Sequence, residues 1–387
     1  MTAISGSTSA LLGVYARVGP LFVAGDGVEL IAADGRCYLD FVSGIAVNAL
    51  GYNSPVIRAA ITQALDAGLV HVSNLYRSEP GERLAEFLVS RSFAQQVFFC
   101  NSGAEANEAA FKFARKWTGR PGIVAFSGSF HGRLFASLAA TDRPEYRRPF
   151  EPLVPGVQII PLGDRAAAEA TITAAQTAAV IIEPVQGEGG VRPVPTEWLV
   201  YLRRLCRERG VALIFDEVQC GLGRTGTAFA YEQTEVTPDL VTVAKPLAGG
   251  LPMGAVLLSA DVAGALAPGD HATTMGGGPL VATVALAVLE TIFAPDFLAD
   301  VRRKGEHLGT RLGALPGTSR AVSEVRGRGL MWGIVLREPA GPAIAAARER
   351  GLLVATAGPN VIRIVPPLVV SLADLDRGLD ILAEVLA

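Results

Sequence analysis

Short, uninterrupted apolar runs recur between residues 85 and 260, and they limit the possible folds of this 387-residue chain more than any other feature. Segments of helical periodicity separate them. The runs lie at residues 97–100, 123–126, 179–182, 211–215, 240–244 and 254–258. Apolar runs without polar alternation are typical of parallel strands that helices cover on both faces. The sequence therefore predicts an α/β fold whose ligand site lies beyond the carboxyl ends of the strands.

The two ends of the chain show a mixed pattern of short strands and helices. Short strands are expected at residues 28–31, 36–41, 328–336, 352–355 and 361–365. We therefore expect a large domain formed by residues 49–277, and a smaller α+β domain formed by residues 1–48 together with residues 278–387.

Charge and composition exclude several classes of protein. The net charge is −3 without long runs of one sign, so no nucleic-acid partner is expected. The uncharged apolar stretch at residues 246–260 is too short to span a membrane. Four dispersed cysteines indicate neither a disulfide framework nor a metal site. The N-terminal residues lack the pattern of a signal peptide, and we expect a cytoplasmic protein without membrane contact.

The loop after the first apolar run supports two interpretations. Ser102, Gly103 and Ala104 stand at a strand-to-helix turn, where free backbone N–H groups can bind an anion such as phosphate. Alternatively, Ser102 is an ordinary helix N-cap and Glu105 completes a capping box.

Other polar residues follow the later runs. Asp216 ends a buried strand and needs a cationic partner there. Lys245 follows another strand inside a Gly- and Pro-rich loop, where burial would lower its pKa and make it a nucleophile; alternatively it lies at a domain edge. Phe130 and His131 could stack on a flat ligand or serve packing alone. Glu188 among glycines suits either a ligand site or a solvated turn.

Residues 221–226 match the dinucleotide-binding pattern G-x-G-x-x-G. The functional pattern opens a helix directly after a strand, whereas here the glycines lie beyond the strand end and no clear helix follows. We therefore interpret the match as accidental, and a nicotinamide-dependent oxidoreductase would rest on it alone.

Together, an anion site, a stacking residue, a buried carboxylate and a buried amine are what pyridoxal 5′-phosphate requires. Its phosphate favours a helix N-terminus, its aldehyde reacts with a lysine, and its ring nitrogen pairs with an aspartate.

The motifs extend this agreement over nearly the whole chain. They are Tyr15, residues 44–48, 71–76, 101–107, 130–133, 183–189, 216–219 and 223–226, and Lys245, Thr274 and Arg363. With these motifs the chain resembles the class-III pyridoxal-phosphate aminotransferases of fold type I, and among them the acetylornithine aminotransferases. The resemblance implies a large domain with a mainly parallel, seven-stranded sheet covered by helices.

The resemblance also implies roles for individual residues. Lys245 would bond to the cofactor as a Schiff base and shuttle a proton, Asp216 would pair with the ring nitrogen, and Glu188 would assist catalysis. The implied cofactor-binding residues are Ser102, Gly103, Ala104, Phe130, His131, Glu183, Asp216, Val218, Gln219, Lys245 and Thr274. The implied substrate-binding residues are Tyr15, Ser73, Asn74, Arg133, Glu188, Thr273 and Arg363.

The implied reaction is ping-pong transfer of the ω-amino group of N-acetylornithine to 2-oxoglutarate, which yields glutamate, in arginine biosynthesis. Arg363 would bind the substrate α-carboxylate, and Glu188 would neutralise it when the ω-amino end enters. Arg133 would hold the distal group. Thr274 would reach the phosphate of the neighbouring subunit, which implies a homodimer with shared active sites.

Two departures from the family pattern leave the amino donor open. Tyr52 stands where these enzymes usually have His, and the loop at residues 271–278 is altered. Ornithine, succinylornithine, acyl-lysine and 4-aminobutyrate are alternative donors. An aminomutase on the same fold is less favoured, and a binding protein without activity would be expected to lose Lys245 or Asp216.

Overall fold

The computed structural model describes residues 10–387. The first nine residues belong to the expected smaller domain and to the stretch without a signal-peptide pattern, and they lie outside the described residues. The described part of the chain forms one seven-stranded sheet, two four-stranded sheets and one two-stranded sheet.

The seven-stranded sheet confirms the predicted α/β fold. Its strands lie in the order Gln96–Cys100, Gly254–Leu258, Leu240–Val243, Ala212–Asp216, Thr177–Ile182, Gly122–Phe126 and Val157–Ile160. Gly254–Leu258 pairs antiparallel with both of its neighbours, and the other pairs are parallel. The six apolar runs of the sequence all fall in this sheet. The edge strand Val157–Ile160 was not predicted, because its exposed polar residue Gln158 interrupts the apolar run.

Helices cover both faces of this sheet. The α-helices are Pro55–Asp66, Glu79–Ser90, Gly103–Thr118, Phe135–Ala139, Pro144–Arg147, Arg165–Thr171, Thr196–Arg209, Ala260–Gly264, Pro279–Ile292, Pro295–Gly313, Leu315–Thr318, Gly341–Glu349 and Leu372–Val385. Short 3₁₀ helices lie at Arg148–Phe150, Ala230–Gln233 and Lys245–Ala248. Ser43–Ala46 is a turn with positive φ angles at all four residues.

Alternate residues of the central strand of the large sheet, Ala212–Asp216, are buried in two separate cores. Leu213 and Phe215 are buried in the core that contains Trp198, on the helix Thr196–Arg209. Ala212 and Ile214 are buried in a second core with residues of the helix Gly103–Thr118. Burial on both faces explains why the strand reads as an uninterrupted apolar run.

The chain ends form the smaller sheets. One sheet has the order Phe22–Asp26, Glu29–Ala32, Cys37–Asp40 and Leu352–Leu353, and the other has the order Val322–Arg328, Met331–Leu336, Val361–Ile364 and Ala355–Thr356. Val185–Gln186 pairs with Arg192–Pro193. The strand expected at residues 328–336 is wrong in extent, because Gly329 with φ +56° forms a turn between two antiparallel strands. The domain boundaries stay a prediction.

The glycine-rich segment 221–226 forms a turn against this hairpin. The buried Arg224 donates Nη1 to the carbonyl oxygens of Leu330, at 2.9 Å, and Pro366, at 2.6 Å. The next helix is the 3₁₀ helix Ala230–Gln233, so no α-helix opens at these glycines. The geometry therefore lacks the strand–turn–helix unit that dinucleotide binding requires.

Helix length and hydropathy bear on membrane insertion. Within residues 10–387 no single helix is long and apolar enough to cross a membrane, while the bent pair Pro279–Ile292 and Pro295–Thr318 passes by length and composition alone.

Candidate active site

The parallel strands of the large sheet end at a common edge, and the loops that follow them enclose a cavity of about 420 Å³. The cavity brings together many of the residues predicted from the sequence. These are Ser102, Gly103, Ala104, Phe130, His131, Arg133, Glu183, Glu188, Asp216, Val218, Gln219 and Lys245. In α/β proteins with parallel strands, ligands bind beyond the carboxyl ends of the strands, which is where this cavity lies.

The start of the helix Gly103–Thr118 is compatible with both interpretations of its sequence. Ser102 is the N-cap, and its Oγ accepts a hydrogen bond from the backbone N–H of Glu105 at 3.2 Å. The Glu105 carboxylate accepts from the N–H of Asn101 at 2.6 Å. The first helical turn leaves other N–H groups without helical partners, and Gly103 and Ala104 line the cavity. The cap is therefore confirmed, and backbone N–H groups of the first helical turn stay available for an anion.

Gly103 is required by close packing. A Cβ atom at this position would lie 2.6 Å from Cγ1 of Val218, which is shorter than non-bonded carbon atoms allow. The glycine thus lets the helix start approach the Val218 side of the cavity.

Asp216 is buried at the end of the central strand, and three groups hold its carboxylate. Oδ2 accepts from the Asn107 side-chain amide at 2.8 Å and lies 2.7 Å from His131 Nδ1. Oδ1 accepts from the backbone N–H of Val218 at 3.0 Å. Hydrogen bonds offset the unfavourable burial of this charge and fix its orientation.

Asn107 was not assigned a role from the sequence, although it organises this network. Its amide also donates to the His131 carbonyl at 2.7 Å, and its Oδ1 accepts from Thr242 at 2.8 Å. A buried Asn within a helix is unfavourable by intrinsic propensity, and this was the signal that could have identified it. Val47, which belongs to the motif at residues 44–48, and Met253 also line the cavity, and neither was assigned a role from the sequence.

Lys245 follows the strand Leu240–Val243 and lines the same cavity. Its φ angle is positive, at +22°, which is unusual for a residue other than glycine. Burial lowers the pKa of the Lys245 amine, and the nearby carboxylates of Asp216 and Glu188 oppose this effect in part. A lowered pKa increases the fraction of neutral, nucleophilic amine near neutral pH.

Glu183 connects two loops of the cavity. One carboxylate oxygen accepts from the backbone N–H of Phe130 and the other from that of Gly187, both at 2.9 Å. Burial raises the pKa of Glu183 to about 7, although nearby His131 opposes the shift. The carboxylate therefore holds the Phe130 loop against the glycine-rich loop that carries Glu188.

Arg363 reaches the site from the strand Val361–Ile364 of a smaller sheet. It is buried, and its Nη1 donates to the Glu188 carboxylate and to Gln219 Oε1, the latter at 3.2 Å. Its buried Nε has no hydrogen-bond partner within the described residues. The guanidinium can therefore donate to a second carboxylate in addition to that of Glu188.

Four predicted residues lie in a second cavity of the same chain, of about 970 Å³: Ser73, Asn74, Thr273 and Thr274. Asn74 donates to the carbonyls of Thr273 and Gly276, each at 3.0 Å. None of the four lines the cavity that contains Lys245. Their predicted roles therefore stay predictions.

Tyr15 and Tyr52 line neither cavity. The Tyr15 side chain is exposed, and its predicted substrate contact stays a prediction. The Tyr52 hydroxyl donates to Asp40 at 2.6 Å, and its backbone pairs with Gly27. This departure from the family pattern thus changes the packing beside the sheet that contains Phe22–Asp26 and Cys37–Asp40, and it does not change the lining of the cavity that contains Lys245.

The residues present fit pyridoxal 5′-phosphate. The cavity offers a helix N-terminus for a phosphate, an oriented carboxylate for a ring nitrogen, and an amine of lowered pKa for an aldehyde. The buried Nε2 of His131 has no protein partner in the described part of the chain, which agrees with a polar ligand in the cavity.

Comparisons with known proteins agree with this geometry. The family model "Aminotransferase class-III" matches residues 16–386. An acetylornithine aminotransferase of Alnus glutinosa, named as mitochondrial, is 50% identical, and the match covers 97% of this chain and 85% of that protein. An acetylornithine aminotransferase of Gloeobacter violaceus is 48% identical, with 96% and 94% covered.

Solved structures show the same similarity. N-acetylornithine aminotransferase from Stenotrophomonas maltophilia superposes with a TM-score of 0.83 at 38% identity, covering 96% of each chain. Ornithine aminotransferase from Toxoplasma gondii superposes with a TM-score of 0.92 at 28% identity, covering 97% of this chain and 92% of that one. The chain belongs to the class-III aminotransferases.

Proposed function

We propose that this aminotransferase transfers the ω-amino group of N-acetylornithine to 2-oxoglutarate, as a step of arginine biosynthesis. The observation that carries the proposal is the pairing of Arg363 with Glu188 beside the cavity of Lys245 and Asp216. The internal carboxylate covers the guanidinium when an ω-amino end enters, and it releases the guanidinium to the α-carboxylate of glutamate. The 43–50% identity to relatives named acetylornithine aminotransferases supports this donor.

As a class-III aminotransferase the protein uses pyridoxal 5′-phosphate, which when bound supplies an electron sink for negative charge at the reacting carbon. We propose that the N-terminus of the helix Gly103–Thr118 holds its phosphate and that Asp216 faces its ring nitrogen. Gln219 would bind the ring hydroxyl, and Phe130 and Val218 would pack on the two ring faces.

Lys245 Nζ would be the covalent attachment point of the cofactor, and once the substrate amine has replaced it there, the freed Nζ would act as the general acid and base. Its Nζ takes the proton from the substrate carbon that bears the amino group. The lowered pKa suits this role because the neutral amine is the form that accepts a proton. The hydrogen bonds from Asn107 and Val218 keep the Asp216 charge in one place during this transfer.

Both substrates carry a carboxylate far from the reacting amine, namely the α-carboxylate of N-acetylornithine and the γ-carboxylate of glutamate. Arg133 lines the cavity and would bind this distal carboxylate. Arg363 would bind the α-carboxylate of glutamate alone, after Glu188 has moved aside. Two arginines thus let one site accept substrates of different length.

We propose a homodimer in which the second cavity completes the active site of the partner. Large apolar side chains are exposed around it, including Leu75 at 88%, Tyr76 at 71% and Met275 at 64% exposure. Exposed apolar side chains in a cluster are typical of an interface. The cytoplasmic location expected from the sequence stays a prediction.

Donor preference tests the proposed reaction. Single half-reactions with N-acetylornithine, ornithine, succinylornithine, acetyl-lysine and 4-aminobutyrate can be followed by the absorbance of the bound cofactor. We expect kcat/KM for N-acetylornithine to exceed that for each other donor by about tenfold or more. A higher value for any other donor would show that the proposed substrate is wrong.

Replacement of Lys245 tests the catalytic assignment. Lys245→Ala should lower turnover by roughly a thousandfold or more, because it removes the general base and the covalent attachment. After borohydride treatment, mass spectrometry should find the cofactor on the denatured wild-type chain and not on the variant. Lys116→Ala, at a half-exposed surface lysine, is the control and should behave as wild type. Cofactor retained covalently by Lys245→Ala would place the reactive amine elsewhere.

Replacement of Arg363 tests the carboxylate site. Arg363→Ala should lower kcat/KM for glutamate by roughly 10- to 100-fold, because a charge-assisted hydrogen bond contributes about 1.5–3 kcal/mol. Cofactor affinity should stay within twofold of wild type. Arg337→Ala, at an exposed arginine near the same sheet, should leave both quantities unchanged. An unaltered glutamate half-reaction would remove Arg363 from the substrate site.

Mixed dimers test the shared site. Thr274→Asp should repel the cofactor phosphate and inactivate the homodimer, as Lys245→Ala does by another route. Co-expression of the two variants with different purification tags yields a heterodimer that contains one intact site if Thr274 serves the partner. We then expect about half of the wild-type activity per dimer. An inactive heterodimer would show that Lys245 and Thr274 act within one chain.

A further inference from the structure

Arg133 stacks on an aromatic ring that lies outside the cofactor cavity. Its Cζ lies 3.4 Å from the ring centroid of Tyr146 and 5.7 Å from that of Phe130. Tyr146 does not line the cavity of about 420 Å³ that contains Lys245. It lines a neighbouring cavity of about 650 Å³, together with Phe130 and Glu188.

The stacking leaves the guanidinium edge available. Within residues 10–387 the Arg133 side chain contacts these two rings and forms no hydrogen bond or ion pair. A guanidinium that stacks by its face keeps its N–H donors in the plane of the group, where they can meet a carboxylate with two parallel hydrogen bonds. The ring of Tyr146 thus limits the rotation of Arg133 without using its donors.

Tyr146 is itself anchored to the loop that carries Glu188. It lies on the short helix Pro144–Arg147, and its backbone N–H donates to the Arg143 carbonyl at 2.9 Å. The Arg143 Nη2 donates to the backbone carbonyl of Glu188 at 2.6 Å. The platform under Arg133 is therefore connected to the same loop that controls Arg363.

We infer that Tyr146 is a positioning residue for carboxylate recognition, which holds the Arg133 guanidinium over the cofactor cavity so that its edge meets the distal carboxylate of either substrate. The inference rests on the proposed function, in which Arg133 binds that carboxylate. Tyr146 acts through Arg133 and on substrate binding, and it takes no part in proton transfer at Lys245.

The holoenzyme with Tyr146→Leu tests the inference. The KM values for N-acetylornithine and 2-oxoglutarate should both rise by roughly three- to tenfold, the range expected for loss of a partly exposed cation–π contact. Because proton transfer is unaffected, kcat should stay within twofold of wild type. Tyr146→Phe keeps the ring and should restore both KM values. Phe150→Leu removes an exposed ring four residues along the chain that lines neither cavity, and it is the matched control.

A double-mutant cycle with Arg133→Gln separates positioning from general damage. Tyr146→Leu should raise KM no further in the Arg133→Gln background, since the group that it positions is absent. Unchanged KM values in Tyr146→Leu, a loss of kcat alone, or an equal effect of Tyr146→Leu in both backgrounds would each overturn the inference. If Arg133→Gln raises KM while Tyr146→Leu does not, the proposed role of Arg133 stands without Tyr146. If Arg133→Gln leaves KM unchanged, the proposed carboxylate site fails and the inference fails with it.

Discussion

The burial of the Asp216 carboxylate at the end of the central strand is the constraint on which the site depends. A charge in this position is stable only if donors surround it, and Asn107, His131 and the Val218 N–H supply them. These donors come from a helix, a loop and the next turn, so the network fixes the relative positions of three elements. Lys245 follows the adjacent parallel strand, and sheet topology alone brings it to the same edge.

A second electrostatic contact joins the site to the smaller sheet. Arg363 is buried, and the Glu188 carboxylate and Gln219 satisfy part of its donor capacity. Arg224 makes a comparable connection without a carboxylate, through the carbonyls of Leu330 and Pro366. Both arginines bond to segments that are far apart in sequence. These contacts therefore hold the smaller sheet against the loops at the edge of the large sheet.

Local sequence patterns predicted those features whose cause is local. Apolar runs identified six of the strands, since burial on both faces leaves no polar alternation, and the turn at Ser102 identified the helix cap. Features that depend on distant partners left weaker signals. The role of Asn107 follows from its contacts with Asp216 and Thr242, which are distant in sequence, so no local pattern predicted it. The first strand of the hairpin at Gly329, Val322–Arg328, was not predicted, because its polar residues leave no apolar run.

The order of strands and polar residues along the chain was sufficient to predict the α/β fold and the cofactor, and to propose Lys245 and Asp216 as its partners. Parallel strands must end at one edge, and the chemistry of the cofactor then selects the residue types found there. The tertiary structure decided which side chains contact one another. It placed Thr274 with Asn74 in a separate cavity, left Tyr52 with Asp40, and set Tyr146 under Arg133. These contacts arise from packing between distant segments, which no local pattern encodes.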